Sequence, residues 1–274
     1  MGEYQSDPAW KGKEVPMRKV LAMQLLVLIM VIVFSPWIAG AEENWHSVLV
    51  LNQYPHDPAA FTQGLVYCDG FLYEGTGLYG HSSLRKVRLE DGALLESVPL
   101  EKEYFGEGIA ILGDRIIQLT WRERQGFVYD RASLERIAQF SYETEGWGLT
   151  TDGQYLIMSD GSSVLIYLEP ESYQPIRRLT VHGPDGPIGY LNELEYIRGA
   201  IYANIWLTPN IVRIDPETGQ VTDWIDLSEL NDLERGQDPG VDVPNGIAYD
   251  PEGHRLFVTG KLWRNVYQIA FDGF

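Results

Sequence analysis

Two ionisable side chains in this sequence stand where chemistry, more than solvation, would place them. Glu107 lies between glycines in the stretch Tyr104-Phe105-Gly106-Glu107-Gly108-Ile109, on an apolar, close-approach backbone instead of in a solvated charge run. Such surroundings raise a carboxyl pKa towards neutrality, which suits a general acid or base. Lys261, in Thr259-Gly260-Lys261, is the one cation among the polar and aromatic positions that recur along the chain with Glu107. A lone Lys opposite a lone Glu among aromatics holds a proton donor and a proton acceptor at neutral pH. A glycosidase pair made of Glu107 and Asp160 is conceivable, with less behind it.

The unit that carries Glu107 is repeated, and the repeat dictates the elements that position it. Its counterparts are Gln63-Gly64-Leu65, Trp147-Gly148-Leu149, Asn192-Glu193-Leu194 and Asn245-Gly246-Ile247. Each opens a run of short apolar segments cut by turns such as Asp69-Gly70, Asp91-Gly92 and Asp215-Pro216-Glu217-Thr218-Gly219. Four strands in about forty residues make one blade-sized meander. The repeats run from Phe61 to Leu100, Tyr104 to Tyr142, Glu145 to Val181 and Leu191 to Leu227, and a fifth with three strands begins at Pro244. Ser228 to Arg235 reads as a short helix in a connection. The strand Ser47 to Asn52 stands alone before the first repeat and supplies the missing fourth strand of the last, closing a ring without an exposed edge. The expected fold is therefore all-β, a five-bladed β-propeller. An all-β sandwich also shows turns at this spacing, but it explains neither the five-fold echo nor the orphan strand.

In a propeller the innermost strands line a central channel, so the five tripeptides converge. Gln63, Glu107, Trp147, Asn192 and Asn245 form one ring at a channel mouth, with Gly at the next position in all but Glu193. A neighbouring ring comes from the ends of the second strands: Thr76-Gly77, Thr120-Trp121, Ser159-Asp160, Asn204-Ile205-Trp206 and Thr259-Gly260-Lys261. Trp121, Trp147, Trp206 and Trp263 would wall a pocket for a small ligand with a cationic or amide group. Tryptophans also pack between blades, Asp160 in Ser-Asp-Gly also suits a turn, and Asn192 and Asn245 also cap strand ends.

Other classes are excluded or disfavoured. The chain carries 39 acidic against 21 basic side chains, a net charge of −18, which repels nucleic acid and anionic membrane surfaces. The histidines His46, His56, His81, His182 and His254 are scattered, and neither a phosphate loop nor a Gly-x-Ser-x-Gly elbow is present, so no metal and no cofactor are expected. Cys68, the single cysteine, rules out an internal disulfide and reads as a buried structural thiol. Residues 1–41 form an N-terminal extension ahead of a catalytic domain at 42–274. Within them Arg18-Lys19, the apolar run 20–34 and Ala39-Gly40-Ala41 have the order of a secretory signal peptide, with an uncleaved membrane anchor as the alternative. Either way the protein is expected to be exported, periplasmic or secreted, and monomeric.

At these residues the sequence resembles the glutamine cyclotransferase family of plants and bacteria. The matching stretches are FTQGLVY from Phe61, FLYEGTGLYGHSSLR from Phe71, YFGEGIAIL from Tyr104, EGWGLTTDG from Glu145, LIMSDGSS from Leu156, LNELEYI from Leu191, ANIW from Ala203, IVRIDPETG from Ile211, NGIAYD from Asn245 and VTGKLW from Val258. The resemblance implies a five-bladed propeller, no metal, and conversion of the N-terminal glutamine of a peptide or protein to pyroglutamate with release of ammonia. It implies Glu107 as catalytic acid and base, Lys261 as its charged partner, and Phe61, Gln63, Trp121, Trp147, Asn192, Trp206 and Asp160 as the substrate pocket. Two other classes stay open on the residues alone: a non-catalytic propeller that binds peptide termini, and a lactonase-type hydrolase with a channel metal.

Overall fold

β-Branched and aromatic residues cut at short intervals by Gly, Asp and Asn favour short antiparallel strands over helices. A computed structural model describes residues 43–274, and in it these segments form five sheets around a common channel. The N-terminal extension, read above as a signal or anchor, lies outside the described residues. Among the described residues no helix is long and apolar enough to cross a membrane.

The innermost strands are Thr62–Cys68, Gly106–Leu112, Leu149–Thr151, Leu191–Ile197 and Pro244–Asp250, each packed against the next around the ring. Outward from them, the strands of each repeat follow in sequence order as antiparallel neighbours, and in the fourth and fifth blades an N-terminal strand is added at the outer edge. Inner and middle strands are buried on both faces and fill the spaces between sheets, with Ile157, Leu165, Leu194 and Val212 in one such layer and Leu65, Ala248 and Phe257 in another. The outer strands carry the exposed apolar residues Leu94, Ile137 and Ile176.

The ring closes as the sequence leads one to expect, with one addition. The segment read as one strand from Ser47 divides: Leu49–Pro55 pairs antiparallel with Asn265–Ala270 and completes the fifth blade, as expected, while Trp45–Ser47 pairs in parallel with Val221–Asp226 of the fourth. The segment Trp45–Pro55 therefore ties the fourth blade to the fifth. Asn44 and His46 both bond Asp223, and Trp45 stacks on Trp224 at 5.0 Å, which fixes the extra strand.

The repeated tripeptide has a structural cause that its composition does not show. In four blades the inner strand carries a register shift at that point, between Thr62 and Gly64, Gly106 and Ile109, Leu191 and Leu194, and Pro244 and Ile247. A bulge bends the strand and re-aims its side chains, so Gln63, Glu107, Asn192 and Asn245 leave the ladder's alternation. The backbone N–H groups of the bulges find other acceptors, as buried donors must. Gly108 donates to Trp147 O of the next blade, and Gly246 to Asn204 Oδ1. Glu193, the exception to glycine, accepts Leu65 N–H at 3.1 Å and Ile247 N–H at 2.9 Å, so its fully buried carboxylate braces the first and fifth blades across the channel.

Glycine is needed where neighbouring inner strands touch. A Cβ on Gly108 would lie 2.5 Å from Leu149 N and 2.6 Å from Trp147 O, both backbone atoms of the next blade. Gly108→Ala is therefore expected to cost about 1–3 kcal/mol by overpacking. Thermal unfolding checks this; an unchanged midpoint would mean that adjacent blades spread freely.

Candidate active site

A cavity of about 380 Å³ opens at the mouth where the inner strands begin. It is lined by Phe61, Gln63, Glu107, Trp121, Trp147, Asn192, Trp206 and Lys261, together with Leu78, Phe105, Arg122 and Asp242. The structure thus brings these candidates together, while Asp160, Trp263 and Asn245 do not line the cavity. The Asp160 side chain accepts the Ser162 N–H at 3.0 Å, the local bond of a turn, and the following Gly161 lies against the Trp147 ring. Trp263 is also not in the wall: it is fully buried, donates to Asp242 O and packs near Tyr267.

Glu107 sits at the cavity floor with 4% of its surface exposed, and Oε2 has no hydrogen-bond partner from the protein. Burial pushes its carboxyl well above the ordinary value, while the Lys261 ammonium and then the Gln63 amide pull it down. Asn245 donates to Gln63 Oε1 at 3.0 Å, which leaves the Gln63 amide nitrogen as the end free to face the carboxylate. Burial also lowers the Lys261 pKa against the attraction of Glu107 and Asp242. Both groups are thus drawn towards neutrality, the pattern of a proton-transfer site. Asn192 Oδ1 is another buried acceptor without a protein partner.

Lys261 is presented by a bent connection. Leu262 has φ +62°, and its N–H bonds Ala60 O, while Lys261 N–H bonds Val243 O. Its Nζ lies 5.0 Å from the centroid of the Phe61 ring, a cation–π contact. Beneath these loops Glu74 is fully buried and accepts His56 Nε2 at 2.9 Å and the Thr62 hydroxyl at 2.7 Å, with Arg85 Nη1 3.5 Å away. His56 Nδ1 faces Trp263 O at 2.8 Å. Both ring nitrogens face acceptors; burial works against a charge on the ring, but Glu74 and the Trp263 carbonyl outweigh it and raise the His56 pKa. The cluster clamps the loop of Phe61 to the loop of Lys261. From the helix Ser228–Gln237, Glu234 accepts Arg264 N–H and Asn265 Nδ2, holding the far side of the same connection.

The walls are aromatic. Phe105 meets Phe61 and Trp121 edge to face, with centroids 6.2 and 5.5 Å apart, and Trp147 meets Trp206 at 5.4 Å. Phe105, two residues before Glu107 in a strand-forming stretch, was findable by alternation. Leu78 and Arg122 directly follow the second-ring positions Gly77 and Trp121, Asp242 comes from the connection before the fifth blade, and Arg122 corrects the expectation of a single cation. Cys68 lies away from this mouth and is half-buried, not buried, with Arg131 Nη1 2.9 Å from Sγ.

A larger cavity of about 490 Å³ lies at the opposite mouth, lined by Glu195, Arg198, Tyr249 and His254 among others. Its one acidic side chain, Glu195, accepts Tyr249 N–H at 3.0 Å and the Thr150 hydroxyl at 3.4 Å, and burial pushes its carboxyl up to about 8. The site at the Glu107 mouth is the one with open polar valences and an aromatic enclosure. Among the described residues no group of three or more His, Cys, Asp or Glu is arranged to hold a metal ion.

The chain matches the glutamine cyclotransferase family over residues 24–271. It is 44% identical over 227 residues to a glutaminyl-peptide cyclotransferase of Arabidopsis thaliana, across 82% of this chain and 71% of that protein. The crystal structure of Myxococcus xanthus glutaminyl cyclase superposes with a TM-score of 0.79 at 36% identity, covering 84% of this chain and 99% of that one. Agreement of this extent, in sequence and in a propeller that gathers Glu107, Lys261 and the tryptophans at one mouth, shows that the chain belongs to the glutamine cyclotransferase family.

Proposed function

We propose that this protein is a glutaminyl-peptide cyclotransferase, which closes the N-terminal glutamine of a peptide or protein to pyroglutamate and releases ammonia. The observation that carries the chemistry is the buried Glu107 carboxyl, open at Oε2, beside Lys261 within a wall of indoles. The aromatic walls hold the glutamine side chain folded back on its own amine, and orientation of two groups in one molecule supplies much of the rate.

The neutral α-amine attacks the side-chain amide carbon, forming the ring C–N bond and an oxyanion. Glu107 takes the proton lost by the amine and returns it to the departing amide nitrogen, so that the old C–N bond breaks and ammonia leaves. Lys261 opposes the effect of burial by pulling the Glu107 carboxyl back towards its ionised form and, with the Asn192 amide, steadies the oxyanion. No metal is required in this scheme: the acidic groups of the cavity are Glu107 and Asp242, and the cations Lys261 and Arg122 beside them disfavour a divalent ion. Ammonia release from a glutaminyl dipeptide, with and without a strong chelator, tests the reading. Chelator-resistant release with pyroglutamate as co-product is expected. No release from folded protein would leave a peptide-binding propeller, and release abolished by chelation would favour a metal-dependent hydrolase.

A further inference from the structure

Glu145 lies behind two walls of the cavity; it passes no proton in the scheme above, and its charge bears on Glu107 only as a minor influence that raises that carboxyl. Its Oε2 accepts the indole N–H of Trp121 at 2.7 Å and that of Trp147 at 3.1 Å. Its other oxygen, Oε1, is 3.4 Å from Arg122 Nε, and the Arg122 guanidinium stacks over the Trp121 ring at 3.8 Å. Trp121 follows the second strand of the second blade, whereas Trp147 precedes the first strand of the third. One carboxylate therefore ties together walls that come from different blades. Burial works against its charge, but the two indole N–H groups and Arg122 outweigh that and lower its pKa.

An indole left without an acceptor turns about its side-chain bonds within the space available, and two unpinned indoles would widen or close the slot between them. We infer that Glu145 is a positioning residue for substrate recognition, which sets the width of the glutamine slot by fixing the Trp121 and Trp147 rings through a shared oxygen. This rests on the cyclotransferase reading for its substrate, but the clamp itself is independent of turnover. Because both indoles use the same oxygen, an amide in its place keeps an acceptor and loses the charge and Arg122, so Glu145→Gln is the milder change.

The test is a mutant cycle of Glu145→Ala with Trp121→Phe and Trp147→Phe, which remove the N–H donors and keep an aromatic ring. Glu145→Ala is expected to raise KM for a glutaminyl dipeptide about tenfold, with kcat within about threefold of wild type, and Glu145→Gln to raise it less. In the Trp121→Phe/Trp147→Phe background Glu145→Ala is expected to change KM no further. A second readout needs no turnover: acrylamide quenching of tryptophan fluorescence should increase in Glu145→Ala of the otherwise wild-type chain. A full tenfold effect persisting in the double-Phe background would overturn the clamp, as would unchanged quenching. Absence of ammonia release from the wild-type chain, with quenching still responsive to Glu145, would fault the cyclotransferase reading and leave the clamp standing.

Discussion

Glu107→Gln is expected to bind a glutaminyl peptide within a few-fold of wild type and to turn it over at least about a hundred times more slowly, the loss that follows removal of a general acid or base. The amide has the carboxylate's shape, so the aromatic walls and the cation–π contact of Lys261 with Phe61 stay as they are. What it cannot do is accept a proton from the attacking amine and deliver it to ammonia. The same change should not harm the fold. A carboxyl whose folded pKa is raised above about 4.5 costs stability as pH rises from that value towards the raised one, because the native state holds on to a proton that the unfolded chain releases. Glu107→Gln removes this cost, so its melting temperature should match wild type near pH 4 and equal or exceed it at pH 8. Ammonia release at saturating peptide, tryptophan-fluorescence titration and thermal melts at the two pH values check the three parts. Turnover within threefold of wild type would remove Glu107 from the proton path.

The part of this site that could be read from the sequence is the part carried by the repeat. Glu107, Gln63, Trp147 and Asn192 occupy one position of a five-fold pattern, and a propeller sends that position to the channel mouth whatever the local detail. Trp121, Trp206 and Lys261 follow from the next strand by the same logic. The bulges that turn these side chains inward were not legible, because a bulge is a property of register between two strands, and single-strand alternation does not report it. Trp263 was misplaced for a related reason. Leu262 at φ +62° reverses the chain directly after Lys261, so neighbours in sequence point to opposite sides of the connection. Asp160 obeyed its turn chemistry in Ser-Asp-Gly instead of its repeat position. Asp242 lies in a connection outside the repeat, and Arg122 lies one residue past a repeated position, where the residue types differ from blade to blade and no pattern selects it. Glu145 stands in a motif shared with the family, yet its two indole partners are defined only once neighbouring blades are packed.

Lys261→Met should separate the two services that Lys261 offers. Methionine keeps an unbranched side chain against Phe61 and removes the charge. The ammonium is the largest influence opposing burial at Glu107, so without it the carboxyl moves higher still. Catalysis needs Glu107 ionised at the moment of attack, and the acid limb of kcat against pH should therefore shift upward. Each unit of that shift is about a tenfold loss of activity below the limb, recovered by raising the pH. The free substrate's α-amine, with a pKa of about 8, also titrates, but its contribution belongs to the peptide and does not move with the substitution. The second service is hydrogen bonding to the oxyanion, and its loss has no pH remedy. A plateau lowered by about a hundredfold is expected, in the range seen when one oxyanion donor is removed. A shifted limb with a wild-type plateau would reduce Lys261 to an electrostatic partner of Glu107 and leave Asn192 as the oxyanion donor. An acid limb that stays in place would show that the two groups do not communicate, and the proton scheme would then have to be built on Gln63 and Glu107 alone.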